Sequence, residues 1–268
     1  MKLKKLITAF TGVLLVATLL AACGSKKEAD SSQKAKTDTI EVVGADGSKV
    51  KVPKNPSKVV VFDNGSLDTI QALGEGKSVV GVAKKNLPDY LKEFKNVDSI
   101  GGLKEPDLEK INALKPQLIV ISARQQGFKA DLEKIAPVLD LSMDNKKVWE
   151  STQSHILTLA SIYGKEAEAK KQIETLKTNI DAVKKKAEGS GLKTLTLMTN
   201  EGQVAAFSEG SRYAIINDTF GFKSVDETIK ASTHGQSVSM SMSLKKIQMS
   251  FSSLIARKLS VVTQKKLV

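Results

Sequence analysis

The chain has 268 residues and a formal net charge of +12, with 41% hydrophobic and 4% aromatic residues. Three of the positive charges lie in the first five residues and six in residues 240–268, which contain no acid, so residues 23–239 carry only +3. A nearly neutral body with few aromatic side chains and no nucleic-acid motif argues against a nucleic-acid partner.

Residues 1–22 have the pattern of an export signal, in which lysines precede an apolar stretch at residues 6–20 and then small residues. This stretch is too short and too early for a stable membrane span. The run Leu20-Ala21-Ala22-Cys23 resembles the bacterial lipoprotein pattern, in which the cysteine is acylated and becomes the first residue. We therefore expect a signal peptide at 1–22 and a lipid anchor at Cys23. The alternative is an ordinary exported protein with a chance cysteine.

Residues 23–38 are expected to form a flexible tether, because residues 24–38 contain charged, serine and small side chains and no large apolar one. Cys23 is the only cysteine, so no disulfide can form within the chain. A chain without further thiols suits an oxidising exterior. The predicted location is the outer face of the cell membrane.

Short apolar runs and helical stretches alternate from residue 39 onward, which favours βαβ units and a mainly parallel sheet. The predicted strands in this part are residues 40–43, 49–52, 58–62, 78–83 and 118–121. Asp46-Gly47 favours a hairpin between the first two strands. The predicted helices are residues 66–73, ending at Gly74, and residues 105–114, with Pro106 in the first turn.

Residues 147–190 are predicted to be helical, with a break at Tyr163-Gly164. A helix over residues 165–188 would be roughly 36 Å long, which is long for a crossover helix on one small sheet. Strand patterns return at residues 192–198 and 204–207, followed by a helix at about 211–220.

The predicted fold is α/β, with two Rossmann-like lobes joined by a long rigid helix and a cleft between the lobes. The N-terminal lobe covers residues 39–146, the helical linker 147–190 and a partial C-terminal lobe 191–239. Bending of a continuous linking helix should be small.

Three features occur together in this chain: PKNPSKVVV at residues 53–61, LEKINALKPQLIV at residues 108–120 and the long predicted helix after residue 164. They resemble the helical-backbone substrate-binding lipoproteins of bacterial ABC importers, a class III periplasmic-binding-protein-like family. Four further motifs are similar to the Gram-positive group that binds petrobactin-type catecholate siderophores: FDNGSLD at 62–68, ISARQ at 121–125, SRY at 211–213 and ASTHGQSVS at 231–239.

The resemblance implies a monomeric receptor, not an enzyme, that captures a ferric siderophore between its lobes and delivers it to an ABC permease with its ATPase. The iron would arrive already bound by the siderophore, so no protein cofactor is expected. Haem is the main rival ligand, with Tyr213 and His234 as the candidate axial ligands. Two rival functions are a sensor without a transporter and an extracytoplasmic enzyme, although no Gly-x-Ser-x-Gly, Walker or Gly-x-Gly-x-x-Gly motif is present.

Arginine is scarce, with three among 41 basic residues. Arg124 follows a predicted strand end, where α/β sheets present ligands, and Arg212 opens a predicted helix. A guanidinium fork matches delocalised oxyanions such as ferric catecholates better than an ammonium group does. The resemblance implies that both arginines line the cleft; the alternative is a pair of surface salt bridges.

His234 lies in a Ser/Thr/Gly loop, where its side chain could donate to ligand oxygens; the alternative is a solvated loop histidine. Asn64, Gln125 and Tyr213 adjoin the motifs and are further ligand-binding candidates. His155 lies on a predicted helix, where we expect a structural role. Two histidines and a single thiol argue against a protein-ligated zinc or manganese site.

Glu109 is the predicted docking residue for the permease, because the resemblance implies one exposed glutamate per lobe that pairs with permease arginines. The alternative is a solvated helix face.

Residues 240–268 are expected to be an out-of-frame tail. A one-base shift allows glutamate in place of Ser241 and, fifteen positions later, arginine in place of Ala256. The same spacing separates Glu109 from Arg124, as expected if the lobes are structural repeats. A sequencing error would produce the same pattern. If the frame has shifted, the last strands of the second lobe are missing, which exposes sheet edges and apolar surface. This copy is for that reason expected to be destabilised or inactive.

Overall fold

The computed structural model describes residues 38–239 together with 241, 242 and 245. The predicted signal peptide, Cys23, nearly all of the tether and most of the 240–268 segment lie outside these residues. None of the helices in the described part is long and apolar enough to cross a membrane.

Twelve strands occur in the described part of the chain. They are β1 Thr39–Val43, β2 Lys49–Pro53, β3 Val59–Val61, β4 Val79–Val82, β5 Asp98–Ser99, β6 Leu118–Ile121, β7 Val138–Asp140, β8 Lys193–Thr194, β9 Thr196–Asn200, β10 Gln203–Phe207, β11 Lys223–Ser224 and β12 Gln236–Ser237. The α-helices of the same part are α1 Asn64–Ala72, α2 Leu108–Leu114, α3 Lys129–Glu133, α4 Val148–Ile162 and α5 Glu166–Ser190.

A five-stranded parallel sheet in the order β5-β4-β3-β6-β7 forms the centre of the first part. Every residue of β3 and β6 is buried, which explains why both strands have uninterrupted apolar sequences. Side chains of α2 and α3 pack on one face of the sheet, and side chains of α1 and α4 pack on the other. The predicted strands at 58–62, 78–83 and 118–121 are thereby confirmed.

Helix α1 begins at a carboxylate cap. The Asp63 Oδ2 atom accepts hydrogen bonds from the Ser66 backbone nitrogen at 2.7 Å and from Ser66 Oγ at 2.8 Å. At the other end Gly74 takes a φ of +81°, a left-handed conformation that suits glycine. The helix thus begins two residues before the predicted start and ends at the predicted glycine.

The predicted start of the next helix at residue 105 is wrong. Helix α2 begins at Leu108, because Asp107 caps it by accepting a hydrogen bond from the Lys110 backbone nitrogen at 3.0 Å. Pro106 instead forms an isolated antiparallel bridge with Gly101. A Cβ atom on Gly101 would lie 2.5 Å from the Glu105 carbonyl oxygen, so the tight turn requires glycine.

The hairpin of β1 and β2 is confirmed and is held to the edge of the sheet by polar contacts. Lys129 Nζ lies 2.5 Å from Asp46 Oδ2 in the hairpin turn, and both side chains are less than one third exposed. The Ala45 backbone nitrogen also donates to the Asp140 carbonyl oxygen at 2.7 Å. The ion pair with Lys129 and the hydrogen bonds from Ser48 lower the pKa of Asp46 well below its usual range.

Helices α4 and α5 lie in the segment predicted to be helical, residues 147–190, and the break falls at Tyr163-Gly164 as predicted. Burial raises the pKa of Tyr163 to about 12, and its hydroxyl lies 2.8 Å from Ser78 Oγ. Helix α5 has 25 residues, or roughly 37 Å. It ends at Gly191, whose φ of +63° is left-handed.

The strands after α5 differ from the predictions. The single strand predicted at 192–198 is two strands, β8 and β9. Strand β8 pairs in parallel with β11, whereas β9 pairs antiparallel with β10. The helix predicted at about 211–220 is a turn followed by a short π-helical segment, Ile215–Thr219. The buried Asn217 side chain donates to the Phe222 carbonyl oxygen at 2.7 Å, which holds the segment in this wider form.

The Asp46–Lys129 pair provides a test of how the hairpin is held. Lys129→Met keeps the aliphatic stem and removes the charge, so we expect a loss of about 1 kcal/mol in unfolding free energy, measured by urea titration. The folded-state pKa of Asp46 is lowered, so the difference from wild type should be complete above about pH 4 and should shrink as the pH falls further.

Lys134→Met is the matched control, because Lys134 pairs with Asp131 on the same helix segment but with side chains that are 75% and 49% exposed. Its expected effect is below about 0.5 kcal/mol. Equal losses of unfolding free energy in the Lys129 and Lys134 variants would show that the contact between Lys129 and the hairpin stabilises the fold no more than an exposed ion pair does.

Candidate ligand-binding site

Three of the predicted site residues meet at the carboxyl ends of β3 and β6. Asn64, Arg124 and Gln125 line one pocket of about 160 Å³. The other residues that line it are Phe62, Asp63, Leu103 and Ser122. The chain leaves β3 for β4 on one side and later returns to β6 on the other, so the pocket lies where the strand order reverses. Open α/β sheets bind ligands at such switch points.

Arg124 is exposed and lies in a 3₁₀-helical turn, Ala123–Phe128, that begins directly after β6. Its neighbour Ser122 caps this turn through a capping box with Gln125. The guanidinium group therefore lies at the end of a buried strand, on a turn of defined geometry, and is accessible to an anionic ligand. This is the arrangement predicted from the strand end.

Gln125 is only 1% exposed, and its amide is used inside the protein. Its Oε1 atom accepts from the Ser122 backbone nitrogen at 3.1 Å, and its Nε2 atom donates to the Leu103 carbonyl oxygen. This geometry does not support the prediction that Gln125 contacts the ligand directly.

Asn64 is half-buried at the first position of α1, beside the capping residue Asp63. Sequence reasoning did not select Asp63 or Leu103 for the pocket. An aspartate two residues after an apolar strand and before Gly-Ser is a recognisable helix cap, and this pattern could have indicated Asp63. Leu103 carries no such pattern, because it reaches the pocket only through the turn that precedes α2.

The predicted residues of the second part gather around Phe207, which is buried. The rings of Phe207 and Tyr213 pack edge to face with centroids 4.8 Å apart. Arg212 is exposed, and its Cζ atom lies 5.3 Å from the Tyr213 ring centroid, within cation–π range. The Tyr213 hydroxyl contacts the Met198 sulfur at 3.8 Å. Arg212 is thus supported by an aromatic ring that is itself held by the core.

His234 is exposed in the loop that leads to β12, and its backbone nitrogen donates to Ser232 Oγ at 3.3 Å. The next residue, Gly235, packs on the Phe207 ring: a Cβ atom there would lie 2.7 Å from the nearest ring carbon. Phe207 therefore connects the His234 loop with the Arg212-Tyr213 segment.

His155 lies half-buried on α4, as expected, and lines a groove beside β1. Burial lowers the pKa of His155, an effect that the negative charges of Asp63 and Asp140 oppose. Among the described residues, no group of three or more His, Cys, Asp or Glu side chains could hold a metal ion.

Glu109 is exposed at the second residue of α2 and forms no ion pair with any other described residue. Its neighbour Lys110 pairs instead with the capping residue Asp107 at 2.9 Å. The carboxylate of Glu109 is therefore accessible to a partner.

A family model described as periplasmic binding protein (Peripla_BP_2) matches residues 59–247 of the chain. The chain belongs to this family. The match covers both groups of candidate residues and the linking helices, and it confirms the predicted α/β class III fold. It also includes residues 240–247, the beginning of the segment interpreted as out of frame.

Known relatives of this periplasmic binding protein carry names that describe iron and siderophore binding. The chain is 43% identical over 229 residues to the petrobactin-binding protein YclQ of Bacillus subtilis, covering 84% of this chain and 72% of YclQ. The YclQ crystal structure matches with a TM-score of 0.74 and 45% identity over 75% of this chain and 72% of that chain.

Two further relatives agree with this picture. The crystal structure of the periplasmic catecholate-siderophore binding protein VctP of Vibrio cholerae matches with a TM-score of 0.70 and 30% identity, covering 75% of this chain and 73% of that one. YhfQ of Bacillus subtilis, named as an ABC transporter substrate-binding lipoprotein, is 30% identical over 255 residues, or 91% of this chain and 76% of YhfQ.

The packing of Gly235 on Phe207 can be tested with a matched pair of glycines. Gly235 and Gly202 share a φ of +79°, but a Cβ atom on Gly202 would meet nothing within 4 Å. Gly202→Ala should therefore cost about 1 kcal/mol of unfolding free energy from backbone strain alone. Gly235→Ala should cost roughly 1–3 kcal/mol more, because the methyl group displaces Phe207. Urea unfolding of the two variants measures the difference, and equal losses would contradict the packing argument.

Proposed function

We propose that this chain is the extracytoplasmic solute-binding lipoprotein of an ABC importer and that it captures a ferric siderophore of the catecholate or petrobactin type. The observation that carries the proposal is the pocket with the exposed Arg124 at the switch point of the parallel sheet, in a chain 43% identical to a petrobactin-binding protein. The chain would act by binding and release rather than by catalysis.

The charge of the ligand class fits the two candidate arginines. Ferric catecholate complexes are anions with delocalised oxygens, and a guanidinium group binds such oxygens in a fixed fork. Arg124 and Arg212 are the two arginines of the described part, and both are exposed. We propose that they face one interlobe cleft from residues 39–146 and residues 191–239. Tyr213 and His234 would then contribute an aromatic face and a further donor.

The proposed location follows from the lipoprotein pattern at Cys23 and from relatives such as YhfQ that are named lipoproteins. An acylated Cys23 would hold the chain on the outer face of the membrane, beside the permease that receives the ligand. Glu109 is the proposed contact with that permease, because its exposed carboxylate is available for an arginine of a partner.

Ligand binding can be followed through Trp149, the single tryptophan, which is half-buried in the first turn of α4. Ferric petrobactin should quench this fluorescence with submicromolar affinity in a chain without residues 1–22 in which the frame of residues 240–268 is restored. The chain as it stands should bind more weakly, because residues 240–268 are expected to impair it. Arg124→Ala and Arg212→Ala should each weaken binding by roughly 10-fold or more, since a charged hydrogen bond contributes about 1.5–3 kcal/mol. Lys134→Ala, at an exposed lysine outside the pocket, is the control.

Unchanged affinity in both arginine variants would contradict the proposed site, and binding of haemin in preference to ferric petrobactin would contradict the ligand class. A chain with the frame of residues 240–268 restored tests that interpretation in the same assay. Tighter binding by the restored chain would support the frameshift, and equal binding would argue against its importance.

Measuring iron uptake beside ligand affinity distinguishes a transport receptor from a sensor that has no transporter. Glu109→Ala should leave the affinity for ferric petrobactin unchanged but lower iron uptake by cells that depend on this protein by at least several-fold. Glu174→Ala, at an exposed glutamate on α5, should change neither quantity. Unimpaired uptake with the Glu109 variant would contradict the docking role.

A further inference from the structure

The side chain of Gln125 occupies a place that the proposed function does not explain. It is polar, almost completely buried and adjacent to the residue proposed to hold the ligand. Buried polar side chains are almost always paired, because an unpaired one loses its hydrogen bonds to water without replacement. The two partners of Gln125 therefore indicate what the residue does.

The two hydrogen bonds of Gln125 join separate parts of the chain. Its Oε1 atom accepts from the Ser122 backbone nitrogen at the end of β6, at 3.1 Å, and so closes the turn that carries Arg124. Its Nε2 atom donates to the carbonyl oxygen of Leu103, which is 22 residues earlier in the chain. One amide thus connects the arginine turn to Leu103, which also lines the pocket and is called the Leu103 wall below.

Leu103 lies in a turn that runs from Gly101 to Pro106. Gly101 and Pro106 form an antiparallel bridge across its base, and the Gly102 backbone nitrogen donates to the Glu105 carbonyl oxygen at 3.0 Å. These two contacts close the turn, and the hydrogen bond from Gln125 joins it to the turn that carries Arg124.

We propose that Gln125 is a positioning residue for Arg124 and not a ligand contact. It fixes the distance between the Arg124 turn and the Leu103 wall, so that the guanidinium fork is already oriented when an anionic oxygen arrives. Loss of this orientation would lower affinity, because the free chain would have to order the turn on binding. The inference rests on the proposed role of Arg124 as a ligand contact.

The next residue, Gln126, supplies a matched control. It lies on the same 3₁₀-helical turn and is exposed, and its Nε2 atom donates to Asp140 Oδ2 at 3.0 Å and to Ser142 Oγ at 3.3 Å. The same substitution at the two positions therefore removes an amide contact toward Leu103 in one case and toward β7 in the other.

The experiment is a double-mutant cycle in ferric petrobactin affinity, measured by Trp149 fluorescence on the chain without residues 1–22. Gln125→Asn shortens the side chain by one methylene, so the amide cannot keep both partners. It should weaken binding about 5- to 10-fold alone but less than 2-fold in the Arg124→Ala background, since residues that act through one another are not additive. Gln126→Asn should change affinity less than 2-fold in both backgrounds.

The outcomes separate this inference from the proposed function. If Arg124→Ala weakens binding while Gln125→Asn does not, the positioning role is wrong and the ligand site stands. If Gln125→Asn weakens binding equally in both backgrounds, Gln125 acts independently of Arg124 and the inference is likewise overturned. If Arg124→Ala has no effect, the proposed site fails first, and the positioning role fails with it.

Global unfolding is checked separately by urea titration of each variant. Where Gln125→Asn is too unstable to assay, Gln125→Met keeps the side-chain length, fills the space and removes both hydrogen bonds. Gln125→Met should likewise weaken binding about 5- to 10-fold alone and less than 2-fold in the Arg124→Ala background.

Discussion

The pairing of β3 with β6 is the constraint on which the proposed site depends. Val59, Val60 and Val61 lie beside Leu118, Ile119 and Val120 in parallel register, and all six side chains are buried. The two strands are far apart in sequence, so their pairing is maintained by burial of apolar surface on both faces of the sheet rather than by a short turn. Wherever these strands end, the residues that follow them must be neighbours.

Two turns with different capping residues meet at the carboxyl ends of these strands. Asp63 turns the chain after β3 into α1, and Ser122 turns the chain after β6 into a 3₁₀ helix. Each turn is closed by a side-chain cap, so the backbone polar groups that the strand ends expose are satisfied locally. Among the described residues no buried side-chain nitrogen or oxygen lacks a hydrogen-bond partner, so Arg124 is exposed here without an unpaired polar side-chain atom buried beneath it.

The second group of candidate residues, around Phe207, is held by aromatic packing. Here Phe207 provides a buried aromatic surface on which Tyr213 and the backbone of Gly235 pack, and Arg212 lies over the Tyr213 ring. The π-helical segment that follows contacts α4, the same helix that packs on the five-stranded sheet. The turn that carries Arg124 is thus held by hydrogen bonds at the carboxyl end of the parallel strands, whereas Arg212 lies over an aromatic ring.

The sequence by itself determined the buried strands, the break at Tyr163-Gly164 and the length of α5, because these depend on apolar runs and local backbone preference. Composition and position also made Arg124 and Arg212 candidates. The sequence did not reveal that Pro106 forms a β-bridge before α2 or that residues 215–219 are π-helical. Nor did it reveal that the Gln125 amide is hydrogen-bonded inside the protein. Two of these are decided by contacts five residues apart that follow no helix or strand periodicity, Gly101 with Pro106 and Asn217 with Phe222. The third is decided by a distant contact, because the Gln125 amide bonds to Leu103, 22 residues earlier. Only the folded chain brings Gln125 and Leu103 together, since a hydrogen bond across 22 residues leaves no periodicity in the sequence.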